Sequence, residues 1–202
     1  MVAGKVFFML QLMDHAIADR LRFFYSFLRS PRTVGSVTPS SRFLARAMLK
    51  EVDWARTEIV VELGAGTGVF TEGIKKLARS GAKKMIFEKD LHLRERLIRR
   101  FPDFIIGDNA CELIPSLADN GIEPGQVDVI LSGLPFAVLP QPLRDQILTG
   151  VYRALKPDGI FITFQYSLQM RKQLLDRFHT VDLSFVPFNL PPAFVYHCRK
   201  KG

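Results

Sequence analysis

The chain has few of the residues that would make it a metalloprotein, a disulfide scaffold or a membrane span. Only two cysteines, Cys111 and Cys198, occur in 202 residues, and they stand far apart. Neither has a second ligand at metal-binding spacing, and the four histidines are scattered, so no zinc pattern forms. No metal is expected, and a reduced, intracellular compartment is the simplest home for two unpaired thiols. No apolar run approaches the ~18 residues that suggest a spanning helix. Internal repeats and low-complexity tracts are also absent. What remains is a length suited to one domain and 48% hydrophobic residues, enough for a buried core.

Acid is scarce at one end. Residues 1–50 carry Lys5, Arg20, Arg22, Arg29, Arg32, Arg42, Arg46 and Lys50 against only Asp14 and Asp19, so most of the net charge of +8 sits there. A basic end suits a polyanion, either an anionic membrane surface or a nucleic acid, although a solvated basic face would read the same way. Proline and glycine are missing from Lys5 to Arg29, which predicts one long helix. At 100° per residue Met9, Leu10, Met13, Ile17, Leu21, Phe24, Phe27 and Leu28 fall on one side, with Gln11, Asp14, Asp19, Arg22 and Ser26 opposite and Arg20 alone intruding. Ala16-Ile17-Ala18 mimics a signal-peptide cleavage site, yet the amphipathic pattern runs straight through it, so that reading is rejected. The helix either lies in a membrane interface or packs on its own domain.

Beyond Pro39 the pattern changes. Ser40 to Glu51 reads as a helix with a serine near its start. Apolar runs predict strands at Glu58–Leu63, Lys84–Glu88, Asp103–Ile106, Val127–Leu131 and Gly159–Phe164. Helical stretches intervene at Val69–Arg79, Leu91–Arg100, Asn109–Leu117 and Pro142–Leu155. This alternation predicts an α/β, Rossmann-like domain around a mostly parallel sheet with right-handed crossovers. Phe178–Val186 and Ala193–Arg199 read as a closing pair of strands. In open sheets of this kind ligands bind outside the carboxyl ends of the strands.

The first strand ends in Glu62-Leu63-Gly64-Ala65-Gly66-Thr67-Gly68. Glycine here lets backbone amides approach a ligand that a Cβ would keep away. A dinucleotide fingerprint needs its third glycine where Val69 stands; here it falls one place early, at Gly68. This E-x-G-x-G-x-G form resembles the first motif of the class I S-adenosylmethionine-dependent methyltransferases. That resemblance covers residues 58 to 199 and implies seven strands in the order 3-2-1-4-5-7-6, with S-adenosylmethionine as cofactor. At successive strand ends, Glu62 would orient the methionine ammonium. Glu88 would accept bonds from the ribose hydroxyls, and Asp108, within Asp108-Asn109-Ala110, would accept one from the adenine amine. Gly64, Ala65, Gly66, Gly68, Asn109, Ala110 and Ser132 complete the expected cradle.

The fourth strand runs into Ser132-Gly133-Leu134-Pro135-Phe136. It is similar to the N-L-P-F/Y motif of several N-methyltransferases, in which the Asn carbonyl and a prolyl-side backbone carbonyl accept bonds from a planar base amine. Serine replaces the asparagine here. Together with Phe23-Phe24-Tyr25-Ser26-Phe27-Leu28, the stretch Arg32 to Arg42 (Arg32-Thr33-Val34-Gly35-Ser36-Val37-Thr38-Pro39-Ser40-Ser41-Arg42) and Phe164-Gln165-Tyr166-Ser167, it resembles the bacterial phospholipid N-methyltransferases, relatives of the rRNA adenine dimethylases without the added RNA-binding domain. The resemblance implies stepwise conversion of phosphatidylethanolamine to phosphatidylcholine by a peripheral enzyme at the cytoplasmic face of the cell membrane. It implies a helical extension over residues 1–50, a methyltransferase domain over 51–202, and cofactor contacts from Ser36, Thr38 and Ser40. Tyr25, Ser132, Phe136 and Tyr166 are the expected acceptor-site residues, and nucleic acid is not the expected partner. RNA adenine methylation stays open, as does a silent cofactor-binding module, although the latter predicts a decayed glycine turn and none is seen.

Overall fold

The computed structural model describes residues 39–202. The predicted helix Lys5–Arg29, and with it Tyr25, Ser36 and Thr38, lies outside the described residues. Strands rich in Val, Ile, Leu and Phe can be buried on both faces only when helices cover both, which the alternation supplies. After α1 (Pro39–Leu49) come β1 (Ile59–Leu63), α2 (Val69–Leu77), β2 (Lys83–Phe87), α3 (Leu91–Arg100) and β3 (Ile105–Gly107). A 3-10 turn (Ala110–Glu112) leads into α4 (Leu113–Asp119), followed by β4 (Val127–Ser132), a second 3-10 turn (Phe136–Val138) and α5 (Gln141–Ala154). β5 (Leu155–Gln165), α6 (Arg171–Leu175), β6 (Thr180–Val186) and β7 (Ala193–Arg199) complete the chain.

The seven strands form one sheet in the order β3-β2-β1-β4-β5-β7-β6, as the sequence resemblance implies. The first five run parallel, and β7 is antiparallel to both β5 and β6. Alternation along β1 sends Val61 and Leu63 to a core shared with Leu113, Leu148 and Val151 of α4 and α5, and Val60 to a core shared with Leu44, Met48, Ile74 and Leu97 of α1, α2 and α3. Glu62 therefore points to the α1–α3 face. Helix α1 belongs to this core: Met48 is fully buried, and the Ala47 carbonyl lies 3.2 Å from His197 Nε2 on β7.

Boundaries differ from expectation where local chemistry intervenes. The predicted helix Asn109–Leu117 is split, because the Asn109 side chain accepts from Cys111 N–H and starts a 3-10 turn before α4 begins. β5 starts at Leu155, not Gly159: Leu155 pairs with Val127 ahead of a register shift, which Pro157-Asp158-Gly159 disguised as a turn. Five-residue α6 carries too little periodicity to be read from sequence.

One buried acid ties the start of β1 to its neighbour. Asp128 Oδ2 accepts from Glu58 N–H and Ile59 N–H, both at 2.8 Å, and the carboxylate pairs with Lys156. Asp128→Ala leaves two N–H donors without partners. It should cost about 1.5–3 kcal/mol, seen in urea melts as a lower midpoint with unchanged slope.

Candidate active site

The glycine turn is held from both sides. Gly64 and Ala65 donate to the Phe87 carbonyl at 2.9 and 3.0 Å, and Gly133 donates to the Leu63 carbonyl at 2.9 Å. The turn is left-handed at Gly64, Gly66 and Gly68, with φ of 76°, 57° and 83°. A Cβ on Gly64 would come 2.8 Å from the Leu134 side chain, whereas on Gly66 it would meet nothing within 4 Å. Open space over a left-handed glycine is what close approach of a ligand requires.

Glu88, one residue past β2, is buried against this turn. Its Oε2 accepts from Gly66 N–H at 2.7 Å and its Oε1 from Asp90 N–H at 2.9 Å. The Glu88 N–H donates to the Gly107 carbonyl, which sets the exposed Asp108 beside it on the same rim. Asn109 is exposed and uses its side chain as a helix cap, and Ala110 is half-buried. Ser40 falls in the first turn of α1.

Glu62 is a buried acid with one oxygen left over. Thr71 Oγ1 on α2 donates to Oε2 at 2.6 Å, while Oε1 has no partner among the described residues. Burial pushes its pKa from 4.5 up to about 7, Thr71 opposes the rise and the nearby Glu88 adds to it. A buried, orphaned carboxylate oxygen under the glycine turn suits a cationic donor. These residues fit S-adenosylmethionine: an ammonium for Glu62, hydroxyls for Glu88, and room above Gly66.

At the end of β4 the loop is closed on itself. Ser132 is fully buried; its hydroxyl accepts from Leu134 N–H at 3.2 Å and lies 3.5 Å from the Leu63 carbonyl. Gln165, buried at the end of β5, donates to the Leu134 carbonyl at 3.1 Å and accepts from Ala137 N–H at 3.2 Å. Phe136 corrects an expectation: it is fully buried and packs edge-to-face on Phe161, so the ring belongs to the α4–α5 core and not to an acceptor pocket. Tyr166 is half-buried beside Phe164, with centroids 5.6 Å apart. Burial raises its pKa, and a hydrogen bond from Asn189 in the β6–β7 loop works against the rise.

Three of these partners, Gln165, Asn189 and Thr71, were not singled out from sequence. Gln165 did carry a signal, as a polar residue closing a largely apolar strand. Asn189 sits among prolines and gave none.

Glu88→Ala should weaken S-adenosylmethionine binding by about 1.5–3 kcal/mol, roughly tenfold to a hundredfold in Kd, with circular dichroism unchanged. Glu62 predicts a pH effect. Between pH 4.5 and 7 the folded state holds the proton that the unfolded chain has released, so stability falls as pH rises through that window. A bound ammonium favours the carboxylate, so binding below about pH 7 should expel a proton and tighten as pH rises. Calorimetry in two buffers of different ionisation enthalpy reads that proton, and Glu62→Gln should abolish it.

Comparison with known proteins agrees with this geometry. No protein-family model matches the chain. An ornithine lipid N-methyltransferase of Singulisphaera acidiphila is 32% identical over 186 residues, 90% of this chain and 96% of that protein. Ribosomal RNA small subunit methyltransferase A of Thermotoga petrophila is 38% identical over 82 residues, only 36% of this chain and 30% of that one. Phosphoethanolamine N-methyltransferase 1 of Haemonchus contortus superposes with a TM-score of 0.66 at 14% identity, over 93% of this chain and 50% of that one. The Burkholderia thailandensis 1,6-didemethyltoxoflavin-N1-methyltransferase gives 0.64 at 17%, over 93% and 89%. Both structures contain S-adenosylhomocysteine, and at these identities they speak for the fold. With a third of its residues shared over nearly the full length of the Singulisphaera enzyme, and the glycine turn and strand order in place, the chain belongs to the class I S-adenosylmethionine-dependent N-methyltransferases, in the family of that enzyme.

Proposed function

We propose that the protein methylates the primary amine of a membrane lipid headgroup. The observation that carries this reading is the closed loop after β4. A planar exocyclic amine needs two fixed acceptors. The asparagine of the N-L-P-F/Y motif directly precedes its leucine, so the matching position is Gly133 and not Ser132 as expected, and Gly133 has no side-chain acceptor. The Leu134 carbonyl already accepts from Phe136 N–H at 2.9 Å. The Ser132 hydroxyl is turned back on Leu134 N–H, and Gln165 takes the Leu134 carbonyl. This supports a flexible alkyl amine over adenine, and the near full-length lipid-modifying relative supports it further. Phosphatidylethanolamine, carried stepwise to phosphatidylcholine, is the substrate the sequence resemblance implies. Ornithine lipid is the second reading, favoured by the name of that relative. The ribosomal RNA match spans about a third of this chain and leaves the occupied carbonyl unexplained. No helix among the described residues is long and apolar enough to cross a membrane. Work on lipid from the bilayer surface, at its cytoplasmic face, is what the sequence resemblance implies.

When bound, S-adenosylmethionine supplies the activated methyl group. The protein's own task is to hold the amine in line and without its proton. An alkyl ammonium has a pKa of ~10.4, so at neutrality it lacks a lone pair until the site removes the proton. Transfer out of water disfavours the charged form and lowers that barrier. Tyr166, whose hydroxyl burial keeps protonated, orients the amine as a hydrogen-bond acceptor and does not serve as the final base. Its ring face also suits the growing methylated cation. Tyr25 keeps the role the resemblance implies, from a segment outside the described residues.

Incubation with labelled cofactor and vesicles of phosphatidylethanolamine or ornithine lipid, resolved by thin-layer chromatography, tests the proposal. Label should enter lipid. Label entering only stripped rRNA would transfer the case to adenine methylation. Tyr166→Phe should slow the first methylation several-fold and spare later ones, whereas Tyr166→Ala should also impair the later steps.

A further inference from the structure

The longest uncharged stretch near the carboxyl end is only partly buried. Residues 183–196 contain no charged side chain. Within them, Phe185, Phe188 and Leu190 are 57%, 72% and 79% exposed. Phe188 and Leu190 belong to the loop joining β6 to β7. Because β6 runs parallel to β5, this loop emerges at the edge of the sheet where the glycine turn, Ser132 and Tyr166 lie.

The loop is anchored rather than loose. Val186 and Ala193 are buried at its feet. Asn189 between the two tips is also buried; its amide donates to the Pro191 carbonyl at 2.7 Å, and its side chain bonds Tyr166. The inward Asn189 and the outward Phe188 and Leu190 make a knuckle with two apolar points. A third point comes from α1, where Phe43, 48% exposed, meets Phe188 with ring centroids 5.5 Å apart. Arg42 and Arg46 share the exposed sector of that helix with Phe43, since positions one and four residues apart span about 100°. Exposed apolar tips rimmed by arginine suit one environment above others, an interface that is hydrocarbon below and anionic above.

We propose that the β6–β7 knuckle, with Phe43, inserts into the surface of an anionic phospholipid bilayer while Arg42 and Arg46 meet its phosphates. This deepens the lipid reading above and rests on it for its purpose, but its test does not. Through Asn189 the inserted loop touches Tyr166, so docking would set the acceptor site at headgroup level.

The test is sedimentation of the full chain with vesicles of phosphatidylglycerol and phosphatidylcholine, which contain no amine to methylate. The double variant Phe188→Ser/Leu190→Ser should bind at least tenfold more weakly while keeping the wild-type melting temperature. Arg42→Glu/Arg46→Glu should lose the dependence on phosphatidylglycerol. Wild-type partitioning by the Phe188/Leu190 variant would overturn the proposal. So would a drop of many degrees in its melting temperature, which would assign the tips to packing under the chain's own residues 1–38. If the knuckle is needed for binding yet no lipid is ever methylated, the docking stands and the substrate reading fails.

Discussion

The site depends on how tightly three strand ends are laced together. The Phe87 carbonyl at the end of β2 receives two amides of the glycine turn, and the Leu63 carbonyl at the end of β1 receives Gly133 from the β4 loop. The approach leaves no slack: a Cβ on Gly133 would sit 2.8 Å from the Gly64 carbonyl oxygen. The glycine turn and the loop after β4 are thus one backbone assembly, and the side chains around it stand against groups already fixed in place. This is preorganisation by main chain, which costs little reorganisation when ligands arrive.

Onto that frame the protein hangs carboxylates with divided work. Glu88 meets one backbone N–H on each oxygen, which fixes its position and leaves a second lone pair on each for the ribose hydroxyls it is expected to bind. Glu62 is the opposite case, buried deeper, held by a single hydroxyl and pushed toward the neutral form. For Glu62 it is burial that raises the pKa, and the single Thr71 hydroxyl only partly opposes it.

Much of this was legible in the sequence. The apolar runs and the glycine turn mark the parallel core, since buried parallel strands read as continuous apolar segments between helices. The strand-end acids were legible because a doubly wound sheet sends every such residue to one edge. Phe136 was misread: its place in a substrate motif suggested contact with the acceptor, but a ring just past a buried strand can turn inward to Phe161. Gln165 carried only the signal of a polar residue closing an apolar strand; the strand order places β5 beside β4, but which backbone groups the amide reaches is set by side-chain geometry that no local pattern encodes. Asn189 is hidden for the same reason, joined to Tyr166 across the closing hairpin.

Gln165 and Tyr166 are neighbours in sequence, yet successive residues of an extended chain face opposite sides. Gln165 reaches the Leu134 loop on one face, and Tyr166 packs with Phe164 on the other. On the proposed reading, one strand end would carry two separate controls over the acceptor: whether a backbone carbonyl is open to read a flat amine, and what surface a cation meets. Because the two side chains meet different partners, either control could drift under mutation while the other is kept. In such a scaffold, a change of acceptor class needs no rebuilding of the cofactor half.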